Sequence, residues 1–244
     1  MLPHVAIPSY KRSDTISGKT LKFLKESNYP ANLITIFVAS EEEYSVYKDA
    51  IDPLLYNELV VGKLGLCAQR NFITQYYPED QIIVQLDDDV KNIKGCLPFV
   101  SLVELGYEYI ATRQSGLFGV LPNDDGRRFK NAVTTHLSHI LGSFFMCRNH
   151  RDIIITHTEK EDMERSILYF KRYGQVIRYQ AAGVCTIYGQ GTGGLQSDPN
   201  REKNIAAGIR NMRDRYPEYI GLVIKKGKTL DIVLNWRAKP LVGF

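Results

Sequence analysis

The stretch from Ile82 to Asp89 reads IIVQLDDD, an apolar run that ends in three adjacent carboxylates. Five mostly apolar residues bounded by polar ones are typical of a buried β-strand. Three neighbouring aspartates repel one another, so the cluster is unfavourable unless a cation neutralises it. In open α/β sheets, ligands bind at the carboxyl ends of the strands. The stretch therefore predicts a buried strand with a cation site at its end.

The three aspartates do not all face the same way in an extended chain. Asp87 and Asp89 are alternate residues and point to one side, whereas Asp88 points to the other. Carboxylate oxygens are the ligands that Mg²⁺ and Mn²⁺ prefer. The cluster therefore predicts a site for Mg²⁺ or Mn²⁺. The alternative is an acidic turn with solvated side chains, which the preceding apolar strand makes less favourable.

Upstream of this stretch, short apolar runs alternate with longer amphipathic ones. Ser40 precedes three glutamates, and carboxylates suit the positive end of a helix dipole, so a helix is predicted to begin there. Strands that alternate with helices indicate βαβ units and a largely parallel sheet. Strands are predicted at 4–7, 34–38, 59–61 and 82–86, and helices from about 14 to 24, after Ser40, and at 67–76.

The second half of the chain is more mixed. The sequence contains no internal repeat and no low-complexity linker, so we expect one α/β domain over residues 1–244. Residues 1–95, approximately, form the predicted nucleotide-binding half, and residues 96–244 the predicted acceptor-binding half. Strands are predicted at 116–121, 140–147, 176–179 and 184–188, helices at 159–173 and 199–215, a glycine-rich loop at 189–194, and a β-type tail.

Composition narrows the class of protein. Hydrophobic residues make up 44% of the chain and charged residues 24%, as in ordinary globular proteins. No apolar run is long enough to span a membrane, and the first residues lack the pattern of a secretory signal. The four cysteines are far apart, which favours neither a zinc site nor a disulfide framework. These features predict a reduced, cytoplasmic protein that does not contact a membrane.

The charge is unevenly distributed. The net charge is +4, but residues 201–244 contain ten Lys or Arg against four Asp or Glu. A basic segment of this kind indicates an anionic partner. The alternative is a solvated, lysine-rich surface with no partner.

Four further motifs accompany the aspartates in a definite order. Together with Leu86–Asp89 as a DXD motif, they resemble the GT-A glycosyltransferases over roughly residues 4–180. That resemblance implies a Rossmann-like α/β fold, with a mostly parallel central sheet flanked by helices. The motifs are Ile7-Pro8-Ser9-Tyr10-Lys11-Arg12, Gly65–Asn71 (GLCAQRN), Gly142–Arg148 (GSFFMCR), and Glu161-Asp162 followed by Arg165 and Gly174.

The resemblance implies a binding site for a UDP-sugar, with UDP-glucose as the expected donor, and for Mn²⁺ or Mg²⁺. Asp89 would hold the metal, which offsets charge on the departing diphosphate, and Asp87 would share the metal or contact the nucleotide ribose. Arg12 could instead be an exposed cation, and Arg70 could pair with the aspartates without contacting the donor. The implied donor-binding residues are Pro8, Tyr10, Arg12, Arg70, Asn71, Asp87 and Asp88.

The acid pair at 161–162 carries the implied catalysis. Glycosyl transfer with inversion needs one general base to take the proton of the acceptor hydroxyl. The family's E-D motif places that base on the second acid, here Asp162, with Glu161 beside it. Thr158 and Glu161 also fit a capping box, which would give Glu161 a structural role. Asp162 could likewise only stabilise the helix dipole.

A narrower resemblance concerns the acceptor. The IPSYKR opening, the CAQRN segment, the LDDDV strand and the E-D helix resemble the TET-associated glycosyltransferases, found largely in phages and related to the glucosyltransferase that makes base J. This implies double-stranded DNA with 5-hydroxymethylcytosine or 5-hydroxymethyluracil as acceptor, and the host cytoplasm as location. Trp236 could instead be a packing residue. The candidate acceptor-binding residues are Arg148, Lys225, Lys226, Lys228 and Trp236.

One departure and three competing functions remain. Many GT-A enzymes carry a late histidine that binds the metal, but here no histidine follows the E-D helix. The same chemistry on a polysaccharide is the first alternative, although no membrane anchor is present. Sugar-1-phosphate nucleotidyl transfer usually needs a glycine-rich first loop, which residues 7–12 lack. A non-catalytic nucleotide- or DNA-binding module is disfavoured by the clustered carboxylates.

Overall fold

The architecture was determined from a computed structural model of the chain. The structure describes residues 2–112, 115–186, 201–224 and 230–240. The predicted glycine-rich loop at 189–194 and the lysines at 225, 226 and 228 therefore lie outside the described residues. Among the described residues, no helix is long and apolar enough to cross a membrane.

The elements follow the predicted alternation of strands and helices in the first half. The strands are β1 His4–Pro8, β2 Ile34–Val38, β3 Glu58–Val61, β4 Ile82–Leu86, β5 Asn92–Gly95, β6 Leu117–Leu121, β7 Val133–Thr134, β8 Phe144–Arg148, β9 Ile177–Cys185, β10 Ile220–Ile224 and β11 Leu230–Leu234. The helices are α1 Ser13–Ile16, α2 Lys22–Glu26, α3 Glu41–Ala50, α4 Leu66–Tyr76, α5 Phe99–Thr112, α6 Glu161–Tyr173 and α7 Arg201–Arg215; a π-helical turn, Ser17–Leu21, joins α1 to α2.

A nine-stranded sheet forms the centre of the molecule. Its strand order is β3-β2-β1-β4-β8-β6-β9-β5, and β7 pairs with β9. The strands β3, β2, β1 and β4 are parallel, as predicted, so their carboxyl ends meet at one edge. The second half is mixed because β8 runs antiparallel to both β4 and β6. The aspartates at the end of β4 therefore lie at the middle of the sheet edge, between the two halves.

Both faces of the sheet are covered. Val84 and Leu86 pack into one core, which also contains residues of α1, α2 and α5, and Ile83 packs into a second core, which contains residues of α4, α6 and α7. Because side chains alternate along a strand, Gln85 faces the second core with Ile83. Strand β4 is thus buried on both sides, which explains its nearly continuous apolar sequence.

Two strand predictions in the second half are wrong. The strand predicted at 140–147 begins only at Phe144, because the residues before it turn their carbonyls toward α4 and the aspartates. The two strands predicted around 176–188 are one strand, β9, because pairing with β6 and β5 carries it through small residues that break the apolar alternation. The sequence pattern also missed α5, β5 and β7.

The start of α6 differs from the predicted capping box. The helix begins at Glu161 with Lys160 at the N-cap, and the Lys160 side chain makes no capping bond. Thr158 is therefore not the cap, and Glu161 is the first helical residue rather than the third. The side chain of Glu161 is instead buried in an ion cluster, and this contact fixes its position in place of a capping bond.

Candidate active site

The aspartate turn after β4 is held from the π-helical turn between α1 and α2. The Thr20 hydroxyl donates to the carbonyl oxygen of Asp87 at 2.7 Å and accepts from the backbone N–H of Val90 at 3.0 Å. Thr20 is fully buried. One hydroxyl therefore ties both ends of the Asp87–Asp89 turn, and its conformation is fixed before any ligand binds.

Asp88 fastens the loop that follows β1. Its carboxylate accepts from the Ser9 hydroxyl at 2.7 Å and from the Arg12 guanidinium at 3.1 Å, and it is only 5% exposed. Burial raises the pKa of Asp88, while Ser9 and Arg12 act in the opposite direction. The same Arg12 nitrogen lies 3.5 Å from Asp89. Asp88 thus positions the cation of the first loop and points away from the solvent-facing side of the cluster.

A tyrosine on α3 extends this network. The Tyr47 hydroxyl accepts from the backbone N–H of Arg12 at 2.9 Å and lies 2.7 Å from the Ser9 hydroxyl oxygen. Since Ser9 donates its proton to Asp88, Tyr47 donates to Ser9. The chain of bonds from Tyr47 through Ser9 to Asp88 joins β1, α3 and β4 at the sheet edge.

Arg70 on α4 connects the aspartates to the second half of the sheet. Its guanidinium donates to Gln85 Oε1 at 2.8 Å, to Asp87 Oδ1 at 2.6 Å and to the Gly142 carbonyl at 2.8 Å. Arg70 is 1% exposed, and this planar fork of donors suits three acceptors at once. The predicted salt bridge between Arg70 and the aspartate cluster is therefore present.

Asp87 keeps an open side despite this pairing, since its side chain is 31% exposed. Loss of hydration raises its pKa to about 6; Arg70 acts against this rise, and the negative charges of Asp89, Glu161 and Asp88 add to it. The side chain of Asp89 is 18% exposed. Two carboxylates that are partly open and that repel each other form an oxygen-rich donor set, which fits a hard divalent cation.

Glu161 lies between two arginines in the second core. Arg165 donates to it at 2.5 Å, and the Nε atom of Arg70 is 4.0 Å away. A Cβ atom added at Gly142 would lie 2.6 Å from the Glu161 carboxylate, so glycine leaves the room that this carboxylate occupies. Arg165 also stacks 3.6 Å from the ring centre of Phe145. Glu161 is therefore buried and held by these ion pairs rather than by the capping box that the sequence predicted.

Asp162 takes a different environment from its neighbour. Its Oδ2 atom lies 2.7 Å from His139 Nε2, and its Oδ1 atom accepts the backbone N–H of Met163 at 2.8 Å. Burial alone would raise the pKa of Asp162, but His139, Arg165 and the Met163 N–H together hold it well below its usual range. The side chains of Asp162 and His139 are 19% and 27% exposed. The pair is therefore accessible to a bound molecule.

The remaining predicted site residues are spread over the structure. Pro8 is buried at the end of β1, and Tyr10 is partly exposed with the Lys11 ammonium 5.1 Å from its ring centre. Asn71 bonds both the N–H and the carbonyl of Ile155, so it anchors that loop rather than facing the aspartates. Trp236 is 57% exposed beside His136.

Arg148 lies at the opposite end of the sheet from the aspartates. It pairs with Ile82, the first residue of β4, which places it roughly 16 Å along the strand from Asp87. Near it, Glu79, Asp80 and His150 form a group of three metal-ligating side chains, the one such group found among the described residues. His150 Nδ1 bonds Glu79 at 2.7 Å and its Nε2 bonds the Tyr173 hydroxyl, so both ring nitrogens already have protein partners.

The sequence pattern missed several contributors to the site. Ser9 lies inside the quoted first-loop motif, and its position directly after a predicted strand was a usable signal. Thr20 and Tyr47 lie within helical segments, and His139 lies 23 residues before its partner, with no pattern that marks them. Only the fold brings these residues to the sheet edge.

We predict that Arg70→Met destabilises the protein by about 3–5 kcal/mol, because it leaves Asp87 and Glu161 as buried or half-buried charges without their shared cation. Chemical unfolding is the measurement. Lys22→Met is the matched control, since its ion pair with Glu26 is exposed and should contribute less than about 1 kcal/mol. Equal effects of the two substitutions would show that Arg70 does not stabilise the site.

No protein-family model and no curated protein matches the chain. Among solved structures, the mannosyl-3-phosphoglycerate synthase from Rubrobacter xylanophilus is 13% identical, with a TM-score of 0.53 over 98% of this chain and 87% of that chain. The glucosyl-3-phosphoglycerate synthase from Mycobacterium tuberculosis, in complex with Mn²⁺, UDP-glucose and phosphoglyceric acid, is 12% identical, with a TM-score of 0.55 over 98% of this chain and 89% of that chain.

A mannosyltransferase from Pyrobaculum calidifontis, in complex with GDP-mannose and Mn²⁺, is 14% identical with a TM-score of 0.46. That match covers 72% of this chain, and the chain spans 56% of the length of that enzyme. At the identities of the two synthases, the likeness shows the fold. The predicted GT-A architecture is confirmed: the chain has the α/β fold, with a large central sheet flanked by helices, of these nucleotide-sugar enzymes.

Proposed function

We propose that the chain is a metal-dependent glycosyltransferase that moves a sugar from a nucleotide-sugar donor to a hydroxyl acceptor. The observation that carries this proposal is the aspartate cluster at the end of β4, fixed by Thr20 and flanked by Arg12 and Arg70. The cluster lies at the edge where open α/β sheets bind ligands. Solved proteins of the same fold bind nucleotide sugars with Mn²⁺, which supports the proposal.

The residues of the first half would hold the donor. Asp87 and Asp89 would hold Mn²⁺ or Mg²⁺, and the bound ion would neutralise negative charge on the departing diphosphate. Arg12, held against Asp88 and Asp89, adds a cation on the same side. Tyr10, partly exposed in the loop after β1, offers a ring for the nucleobase. A UDP-sugar, and UDP-glucose in particular, is the donor that we propose.

A residue of the second half would accept the proton of the acceptor hydroxyl. In a displacement with inversion, the acceptor hydroxyl attacks the anomeric carbon, the bond to the diphosphate breaks, and the hydroxyl proton passes to a base. Asp162 is the proposed base, and its bond to His139 holds the carboxylate in place. Asn71 and Glu161 support the loop and the helix start on which the pair lies.

The metal assignment predicts a specific loss of binding. Asp89→Asn should lower the affinity for UDP in the presence of Mn²⁺ at least tenfold, since it removes a charged ligand, and leave the unfolding temperature nearly unchanged. Calorimetric titration of UDP with and without Mn²⁺ measures this. Asp80→Asn is the control, because Asp80 is exposed at the opposite end of the sheet. Unchanged metal-dependent affinity in Asp89→Asn would remove this residue from the metal site.

The base assignment predicts a loss of turnover without a loss of donor binding. Asp162→Asn keeps the shape and removes the proton acceptor, so turnover should fall by about 10² or more. His139→Gln should also lower turnover, because it removes the partner of Asp162. Steady-state rates and UDP affinity are the measurements. Glu161→Gln serves as the comparison, and a larger effect on turnover there, at equal stability, would show that the wrong acid was assigned.

A DNA acceptor is a second, finer proposal. Its support is the basic segment 201–244 and the resemblance to the TET-associated glycosyltransferases. Against it, both synthases of this fold are named for 3-phosphoglycerate products, and one of them is in complex with phosphoglyceric acid. Within the described residues, Trp236 is exposed and has the Arg237 guanidinium 4.8 Å from its ring centre, which suits stacking on a base. Arg148, at the far end of the sheet, does not add to this surface.

The DNA proposal predicts binding that weakens steeply as the salt concentration rises. Replacing Lys225, Lys226 and Lys228 together by Gln should flatten the dependence of log affinity on log salt by up to about three units, if all three contact phosphate. Fluorescence anisotropy with a duplex containing 5-hydroxymethylcytosine measures the slope. A wild-type slope in the triple variant would exclude these lysines from the acceptor site.

A further inference from the structure

Arg178 on β9 is a cation without a counter-charge in the described part of the chain. Its Nε atom is buried and has no hydrogen-bond partner, and no ion pair to it is found among the described residues. Burial lowers its pKa, with no acidic neighbour acting against this. Buried polar groups normally have partners, so a half-buried guanidinium without one indicates a place where an anion binds.

Sheet register places Arg178 on the same face as the site. Gln85 pairs with Phe145, Phe145 with Gly119, and Gly119 with Arg178, in one row across β4, β8, β6 and β9. Ile177 and Tyr179 point into the first core, so Arg178 points to the face of the second. Arg178 is therefore three strands, or about 14 Å, from the glutamine that Arg70 binds.

The segment that contains His139 and Ile140 packs against this row at Gly119. A Cβ atom at Gly119 would lie 2.5 Å from Ile140 Cγ2, so the missing side chain is the space into which Ile140 packs. Ile140 is the neighbour of His139, and its backbone N–H bonds Ser166 on α6. The side-chain pair of Asp162 and His139 therefore lies next to β6, the strand beside Arg178. This places the pair between Arg178 and the aspartates.

Two aromatic rings, of His136 and Trp236, and one further cation, Arg237, extend this group. Thr134 of β7 pairs with Arg178, which places His136, two residues later, near Arg178. Burial, and then the positive charge of Arg178, lower the pKa of His136, so its ring is neutral. The His136 ring lies 6.0 Å from the ring of Trp236, over which Arg237 stacks. No carboxylate pairs with His136, Arg178 or Arg237 in the described ranges. The group of Arg178, His136, Trp236 and Arg237 is named the cationic cluster.

We infer that the cationic cluster binds an anionic group, a phosphate or a carboxylate, of a small acceptor molecule. This inference rests on the proposed glycosyl transfer and specifies its acceptor class, in place of the DNA acceptor. Charge-assisted hydrogen bonds from a planar guanidinium favour bidentate binding of such a group. With its anion at Arg178, an acceptor a few carbon atoms long presents its hydroxyl to His139 and Asp162. The acceptor is thus a phosphorylated or carboxylated metabolite rather than a neutral sugar.

Inorganic phosphate tests the cluster directly, with UDP and Mg²⁺ present to fill the donor site. If the dissociation constant is about 1 mM, then about 10 mM phosphate should raise the unfolding temperature of the wild type by about 3–5 °C over chloride at equal ionic strength. Arg178→Met should lose most of this rise while remaining folded, since it removes an unpaired buried charge. Equal rises in Arg178→Met and the wild type would overturn the inference.

Arg172→Met is the matched control. Arg172 lies with Arg148 in a cavity at the opposite end of the sheet, where phosphate could also bind. The control should keep the full rise in unfolding temperature. Loss of the rise in Arg172→Met but not in Arg178→Met would locate the anion in that cavity and refute the cationic cluster as the site.

Transfer assays identify the source of the anion. With UDP-glucose as donor, phosphoglyceric acid should be glycosylated and glycerol should not, and Arg178→Met should raise KM for phosphoglyceric acid roughly 10–100-fold. Glycosylation of glycerol at the same efficiency, or of hydroxymethylated DNA alone, would overturn the small anionic acceptor. Calorimetry of UDP with Mg²⁺ separates the two proposals, because failure of the proposed function abolishes that binding and leaves the phosphate result intact.

Discussion

The structure of the site depends on the buried bonds of Arg70. One guanidinium joins β4 through Gln85 and Asp87 to the loop before β8 through Gly142. Glu161, at the start of α6, completes the cluster from the other side. Breaking a buried pair by removal of one partner costs several kcal/mol, so these contacts fix the parallel and mixed halves of the sheet relative to each other. The position of the aspartates relative to α6 follows from that constraint.

The three aspartates of the turn after β4 differ in burial and in their partners. Asp88 faces inward and accepts hydrogen bonds from Ser9 and Arg12, so it holds the loop after β1 in place. Asp87 and Asp89 retain open carboxylate edges toward the solvent side. Loss of hydration raises the pKa of Asp87 against the effect of Arg70, and repulsion from the neighbouring carboxylates adds to the rise. A cluster with this residual repulsion favours a divalent cation and an anionic donor together.

The second half of the sheet carries positive charge on the face proposed for the acceptor. The row from Gln85 to Arg178 crosses four strands on one face, and the His139–Asp162 pair lies above its middle. Gly119 and Gly142 are the two places where a side chain would block this arrangement, by Ile140 and by Glu161 respectively. The absence of a Cβ atom at these glycines therefore allows the Ile140 segment and the start of α6 to pack close to the sheet.

The sequence by itself determined the local features of this protein. The apolar runs predicted the parallel strands β1 to β4, Ser40 predicted the start of α3, and the spacing of the aspartates predicted that Asp88 points away from Asp87 and Asp89. These predictions succeed because they depend on neighbours in the chain. Helix α5 and the single strand β9 were missed, since their pattern depends on pairing and packing with distant segments.

Only the tertiary structure decided which residues complete the site. Thr20, Tyr47 and His139 are separated from their partners by 67, 38 and 23 residues, and no local pattern relates them. The same holds for Arg178, which reads in sequence as an ordinary strand arginine. Arg178 is half-buried because β9 pairs with β6 and because the segment that contains Ile140 packs over Gly119 beside it. Chain neighbours set the conformation of a segment, whereas burial and counter-charge are set by whatever the fold packs against it.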